Sequence, residues 1–194
     1  MTGVEGPVGR VIRGVSLLAR FRIEGLTTFG HTPQAFINSL APMLGFSLAF
    51  TVPTLQDGAG WKALADFLAS VVGLLAPAVM SYGFARLWRR DVLWLRYITA
   101  FNWMQAAVTL AMLPVLYGIG SLAGPNGRAV VLLPAFAATC YWLSLYWFLT
   151  RCGLELSRLR TTVAVFTMNF ATGLLVLGPR ALALAATVPG PTAP

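Results

Sequence analysis

Five stretches of about twenty mostly apolar residues, set apart by islands of arginine, constrain this chain more than any other feature. An α-helix rises about 1.5 Å per residue, so about twenty such residues cross the roughly 30 Å hydrocarbon core of a bilayer. Inside that core a backbone N–H or C=O finds no water, so a single stretch must satisfy itself as a helix. The expected spans are residues 35–55, 64–85, 97–122, 129–149 and 162–178. Thr32 before Pro33 reads as an N-cap followed by a proline at the first helical position, where the missing N–H costs nothing. The fifth span meets Pro179-Arg180, and the apolar residues 181–188 beyond it either extend the span or lie along the interface. The fold class expected is an all-α integral membrane protein. Residues 1–31 form a cytoplasmic amphipathic segment, 32–188 a single five-span domain and 189–194 a short disordered tail.

Composition supports the same class. The chain is 57% hydrophobic and 10% charged, against about 45–50% and about 25% for an average soluble domain. Fourteen Lys and Arg face six Asp and Glu. A nucleic-acid module spreads such an excess over a polar surface, whereas here it falls between apolar runs. Arg10, Arg13, Arg20 and Arg22 precede the first span; Arg86, Arg89, Arg90 and Arg96 lie between the second and third; Arg151, Arg158 and Arg160 lie between the fourth and fifth. Only Lys62, Arg128 and Arg180 fall on the other side. Because cytoplasmic segments retain Lys and Arg, the N-terminus is expected inside and the C-terminus outside. An odd number of spans also puts the two ends on opposite faces, so count and charge agree. Trp61, Trp88 and Trp94 sit at span ends, as an aromatic belt does.

Val11, Ile12, Val15, Leu18 and Phe21 recur at helical spacing while Arg10, Arg13 and Arg20 gather elsewhere, so the first segment reads as an amphipathic helix suited to an anionic leaflet. Its interrupted apolar run does not read as a cleavable signal peptide. Arginine outnumbers lysine 13 to 1 and Ala, Gly and Leu are abundant, a bias common in GC-rich bacterial genomes. The localisation expected is therefore a bacterial cytoplasmic membrane. Cys140 falls within the fourth span and reads as packing; Cys152 reads as an ordinary thiol on the cytoplasmic side.

A shift of 64 residues aligns Tyr82, Phe84, Leu95 and Arg96 with Tyr146, Phe148, Leu159 and Arg160. In the same register Ala100, Met104, Ala107, Leu110 and Leu113 meet Ala164, Met168, Ala171, Leu174 and Leu177, and Asp91 and Gln105 meet Glu155 and Asn169. This implies two parallel hairpins, spans two-three and four-five, related by an axis along the membrane normal.

Candidate chemistry is sparse. His31 is the single histidine, which excludes a bis-histidine haem or a multi-histidine metal site in one chain. No nucleophile turn or phosphate loop accompanies it, so neither an enzyme nor a cofactor is expected. Asp66, with Lys62 four residues earlier, reads as an interfacial pair rather than a proton path. Asn102, Gln105 and Asn169, with Asn38 and Ser39, are uncharged polar residues inside spans and are expected to bond across helices or to line a cavity. Gln105 and Asn169 are repeat-equivalent and are expected to face each other. Gly45-x-x-x-Ala49, Ala69-x-x-x-Gly73 and Gly120-x-x-x-Gly124 would allow close helix contact, and Pro77, Pro114 and Pro134 would kink their spans.

The run Arg96-Tyr97-Ile98-Thr99-Ala100-Phe101-Asn102-Trp103, followed by Tyr146-Trp147-Phe148 and Leu154-Glu155-Leu156-Ser157, resembles small proteobacterial membrane proteins that are similar to the Yip family of five-span membrane proteins. The acidic Asp-Leu-Tyr-Gly-Pro signature of eukaryotic members is absent, so no functional residue carries over. The resemblance implies a five-span bundle acting through partners or lipids. The expected role is a non-enzymatic accessory, scaffold or assembly protein. Arg10, Arg13, Arg20, Arg86, Arg89, Arg90, Arg96, Arg151, Arg158 and Arg160 would then contact anionic lipid head groups, another membrane protein or a second copy. The alternative is a small-molecule permease, or a transporter subunit, with Asn102, Gln105 and Asn169 along its path.

Overall fold

The computed structural model describes the backbone of residues 6–56, 60–122 and 127–187, and all of its elements are helical. The order is α1 (Pro7–Leu18), a 3-10 helix (Ile23–Thr28), α2 (Pro33–Gln56), α3 (Gly60–Leu87), α4 (Asp91–Leu122), α5 (Gly127–Gly153) and α6 (Arg158–Thr187). Helices α2 to α6 are each long and apolar enough to cross a membrane. The tail 189–194, Val188 and Gly124 of the third small-residue match lie outside the described residues.

The five long helices contain the expected spans and overrun them. At the start of α2 the Thr32 hydroxyl accepts the Ala35 N–H at 3.2 Å, with Pro33 as the first helical residue. Residues 181–187 continue α6. Helix α4 is 32 residues long, about 48 Å at 1.5 Å per residue, so it outreaches a bilayer core.

Helices α1, α3 and α5 all end in the same way. Phe21, Arg89 and Glu155 take left-handed φ values of 57°, 57° and 51°. In each case the next N–H returns to the carbonyl five residues back: Arg22 to Leu17 (3.0 Å), Arg90 to Ala85 (2.6 Å) and Leu156 to Arg151 (3.0 Å). This closure satisfies helix carbonyls that would otherwise lack donors.

Helix α4 is the centre. It lies along α5 and also contacts α2, α3 and α1, while α3 lies along α6. In the most apolar window of each span, 39% of α4 residues are buried but only 6% of α2 residues. Lipid tails are as apolar as leucine, so the bundle is held by packing and by interhelical hydrogen bonds rather than by hydrophobic exclusion. Each large neighbour of α4 has such a bond. Asn102 Nδ2 donates to Ser39 Oγ on α2 (2.9 Å), Trp94 Nε1 to Ser81 Oγ on α3 (3.0 Å), and the Tyr97 and Thr150 hydroxyls pair with α5 (3.1 Å). Between α5 and α6, Trp147 Nε1 donates to Thr162 Oγ1 (3.1 Å).

The main cluster of packed core residues lies in the half of the bundle that carries the α3–α4 and α5–α6 turns, called here the turn end. Tyr97, Ile98, Phe101, Met104, Leu145, Tyr146, Leu149, Leu154, Ala164 and Met168 are buried there. Leu110, Val115, Leu132, Leu133, Phe136, Leu174 and Leu177, toward the opposite end, point outward.

Small residues work at places the pattern did not mark. Gly45 faces open space, and Gly73 meets Val176 of α6 at 3.3 Å from an added Cβ. The tight approaches are instead Gly14 against Thr28 and Phe29, Gly25 against the Gly14 carbonyl, and Gly153 against the Tyr97 ring. The cysteines also exchange their expected settings: Cys140 is exposed on the outside of α5, whereas Cys152 is half-buried against the core.

Candidate functional site

The turn end gathers arginine over aromatic rings. The guanidinium carbons of Arg86, Arg151 and Arg160 stand 5.9, 5.2 and 5.9 Å from the ring centroids of Tyr82, Trp147 and Trp88. Arg160 over Trp88 joins α6 to the α3–α4 turn. The ion pair between Arg90 and Glu155 joins the two turns, at 3.2 Å with both side chains about half exposed, which places it among surface pairs contributing roughly 0–1 kcal/mol. Arg89 and Arg158 are exposed, while Arg96 is half-buried and its Nε has no hydrogen-bond partner. The surface is thus a cationic rim around two short turns, with aromatic rings beneath it.

Helix α1 occupies the flank of the same half. Pro7 opens it, and it crosses the 3-10 helix at Gly14, where a Cβ would meet the Thr28 and Phe29 side chains, while a Cβ on Gly25 would meet the Gly14 carbonyl. Leu18, Leu26 and Phe29 enter the core. At its end, the Ala19 carbonyl accepts the Tyr141 hydroxyl of α5 at 2.8 Å, and the Phe21 ring meets those of Tyr141 and Phe148 at 6.0 and 5.4 Å. Its beginning lies instead by α2. The helix therefore crosses the face of α4 from α2 to α5. Arg10, Arg13 and Arg20 are on its exposed side.

Between α1, the start of α2 and α4 lies a two-part crevice. Its outer chamber, about 490 Å³, is lined by Arg10, Thr28, Thr32, Gln34, Asn38 and Thr99 among apolar neighbours. Its inner groove, about 380 Å³, is lined by Val15, Pro42, Phe46, Ala106, Ala107 and Leu110. Val11, Ile12 and Trp103 line both parts. The sequence marked Arg10 and the apolar stripe of α1 but gave no sign that α2 and α4 would supply the facing wall.

The intramembrane polar residues separate. Asn102 is fully buried and bonds to Ser39, leaving its Oδ1 without a partner. Gln105 lines a groove of about 410 Å³ between α4 and α5 with Thr109 and Thr139, and its buried Oε1 has no partner. Asn169 donates to the Val165 carbonyl of its own helix at 2.9 Å and lines a different groove along α6. Gln105 and Asn169 therefore do not face each other, because α6 packs along α3 rather than along α4. Asp66 sits in the second turn of α3, where its carbonyl accepts the Ser70 hydroxyl, and His31 is exposed ahead of α2.

Comparison with protein-family models, curated proteins and solved structures finds no match in any of the three. The functional reading rests on the chain itself.

Proposed function

We propose that this chain is a multi-pass protein of a bacterial cytoplasmic membrane, with its N-terminus in the cytoplasm. Its role is that of a non-enzymatic accessory, scaffold or assembly factor, and its arginine-bearing end is the contact surface. One observation carries the reading: the packed core, the aromatic rings and the exposed arginines share one end of the bundle, while toward the other end large apolar side chains such as Leu132, Leu133 and Leu177 point outward. A rigid, charged end on helices that otherwise face lipid suits recognition of an acidic partner or anionic head groups better than turnover. In this reading α1 is an interfacial amphipathic helix, as its course across α4 and its exposed arginines support.

The hairpins α3–α4 and α5–α6 form a parallel repeat in the same proposal. The exchange of α3·α6 for α4·α5 under a twofold axis supports it. The Yip-like architecture belongs to this proposal too.

The permease alternative has one feature in its favour, the buried, unpartnered Oε1 of Gln105, a residue that lines the groove between α4 and α5. Uptake into proteoliposomes that is lost in Gln105→Leu would select it over the scaffold.

Two measurements test the main reading. Val92→Cys, 87% exposed at the α3–α4 turn, should react with a membrane-impermeant maleimide only after the membrane is opened; labelling in intact spheroplasts refutes the orientation. A mild-detergent pull-down should recover a reproducible membrane partner that is lost when Arg89, Arg90 and Arg158 are all changed to Gln. Recovery unaffected by those changes, or no recovery at all, refutes the contact surface.

A further inference from the structure

We propose that the two-part crevice between α1, α2 and α4 binds one anionic phospholipid, with its phosphate in the outer chamber and an acyl chain in the inner groove. The inference rests on the membrane reading above and goes beyond it in assigning a site and a ligand class.

The chamber is built for an anion. Arg10 contributes a fixed positive charge, and the Thr32 hydroxyl and the Asn38 amide add donors beside it. Gln34 Nε2 donates to Asn38 Oδ1 at 3.0 Å, which occupies the acceptor of Asn38 and leaves its amide N–H groups for a ligand. The first turns of both α1 and α2 reach the same chamber, through Pro7 and Val8 on one side and Thr32 and Gln34 on the other. The N-terminal ends of two helices therefore border it, and each contributes partial positive charge. Among the described residues that line the chamber there is neither Asp nor Glu.

The groove is built for hydrocarbon. Its walls are apolar apart from Ser16, and it shares Val11, Ile12 and Trp103 with the chamber, so head and tail compartments are continuous. The geometry also has the right direction and length. Helices α2 and α4 run parallel here, since Asn38 lies with Thr99 in the chamber, Ser39 bonds to Asn102, and Phe46 lies with Leu110 in the groove. From Thr99 in the chamber to Leu110 at the far end of the groove, α4 advances eleven residues, about 16 Å, away from the turn end. Half of a roughly 30 Å hydrocarbon core is about 15 Å, the depth of one leaflet. A lipid of the turn-end leaflet would therefore lie in the crevice in its natural orientation, head toward the arginines and tail toward the midplane. A soluble organic anion would use the chamber and leave the groove unfilled.

The test is native mass spectrometry of the full chain, equilibrated in mixed micelles with equal phosphatidylglycerol and phosphatidylethanolamine. The wild type should retain one phospholipid, with phosphatidylglycerol favoured by about tenfold. Arg10→Gln should bring the two lipids to within about twofold of each other while total retention persists. Ala107→Trp, which fills the groove, should remove both. Thermal stabilisation by phosphatidylglycerol but not by millimolar glycerol 3-phosphate serves as the second measurement, on unmutated protein. Absence of a retained lipid, a preference that survives Arg10→Gln, retention in Ala107→Trp, or equal stabilisation by the headgroup alone would each overturn the proposal. A chain that fails to insert into membranes overturns the membrane reading, whereas an inserted chain that is recovered without lipid overturns only this inference.

Discussion

The crossing of α1 over the 3-10 helix gives the sharpest handle on how the N-terminal segment is held. A Cβ on Gly14 would overlap Thr28 Oγ1 and stand 2.7 Å from two carbons of the Phe29 ring. Phe29 is 5% exposed and packed among Leu18, Leu26 and α4, so its ring has little room to retreat. Thr28 Oγ1 donates to the Gly25 carbonyl at 2.7 Å and can rotate only by losing that bond. Overpacking of this kind costs about 1–3 kcal/mol. Leaving the site is no easier: detachment of α1 would expose Leu18, worth about 1.5–3 kcal/mol of burial where it faces water. Gly14→Ala should therefore stay folded but be destabilised by about 1–3 kcal/mol. At about 2–4 °C per kcal/mol for a chain of this size, its melting temperature in detergent should fall by roughly 2–12 °C. A bulkier Gly14→Leu should release α1, read as faster tryptic cleavage after Arg13 and Arg20 with the five long helices intact by circular dichroism. Thr28→Ala in the Gly14→Ala background removes the overlap with Oγ1 but not the ring contact, so rescue should be partial. A Gly14→Ala protein melting within about 1 °C of wild type, with unchanged proteolysis, would refute the close crossing.

Other sites give independent checks. Gly153→Ala would bring a Cβ to 2.8 Å from the Tyr97 ring, which is tied to Thr150 and packed on Phe101, so a loss of about 1–3 kcal/mol is expected in thermal unfolding, and none would refute the contact. Asn102→Ala and Ser39→Ala, measured singly and together, should couple by about 0.6 kcal/mol and not beyond about 1.7; strict additivity would mean that the bond between α4 and α2 contributes nothing. Arg89→Gly should raise stability by about 1 kcal/mol, because a left-handed φ burdens arginine and not glycine; a lower melting point would show that the side chain matters more than its backbone strain.

Much of the scaffold was legible because a bilayer simplifies the reading. Runs of apolar residues long enough to cross it locate α2 to α6, and Thr32 with Pro33 places the start of α2 to the residue. The errors at the turn end have a physical cause. Hydropathy falls where Arg and Trp begin, but the helix continues until the backbone turns left-handed, so α4 begins at Asp91 rather than Tyr97 and α5 ends at Gly153 rather than Leu149. Those turns use Arg89 and Glu155, not glycine, and so carried no local signal. The crossing of Gly14 over Gly25 was equally silent, since helical periodicity tells which face is apolar but not which segment will cover it. For the same reason Asn102 and Ser39 could be chosen as polar residues within spans, whereas the pairing of Tyr97 with Thr150 and of Trp94 with Ser81 could not. The crevice depends on three segments whose relative placement only the structure supplies.

The division of the bundle into a packed and an open half has a consequence that the positions of the arginines alone would not predict. Leu145 and Leu149 are fully buried, while Leu132 and Leu133, on the same helix toward the opposite end, are 69% and 76% exposed. A leucine surrounded by protein leaves a cavity when truncated, whereas a leucine facing lipid leaves space that acyl chains refill. Leu145→Ala or Leu149→Ala should therefore cost about 2–5 kcal/mol. Leu132→Ala and Leu133→Ala should stay within about 0.5 kcal/mol, as substitutions outside packed contacts do. The assay is thermal unfolding in a detergent that keeps the chain monomeric. Equal losses at both pairs would mean that the open half is covered by a second copy or by another membrane protein instead of lipid. Equal tolerance would mean that the turn-end core is not the structural anchor of the fold, and the contact surface built on it would lose its support.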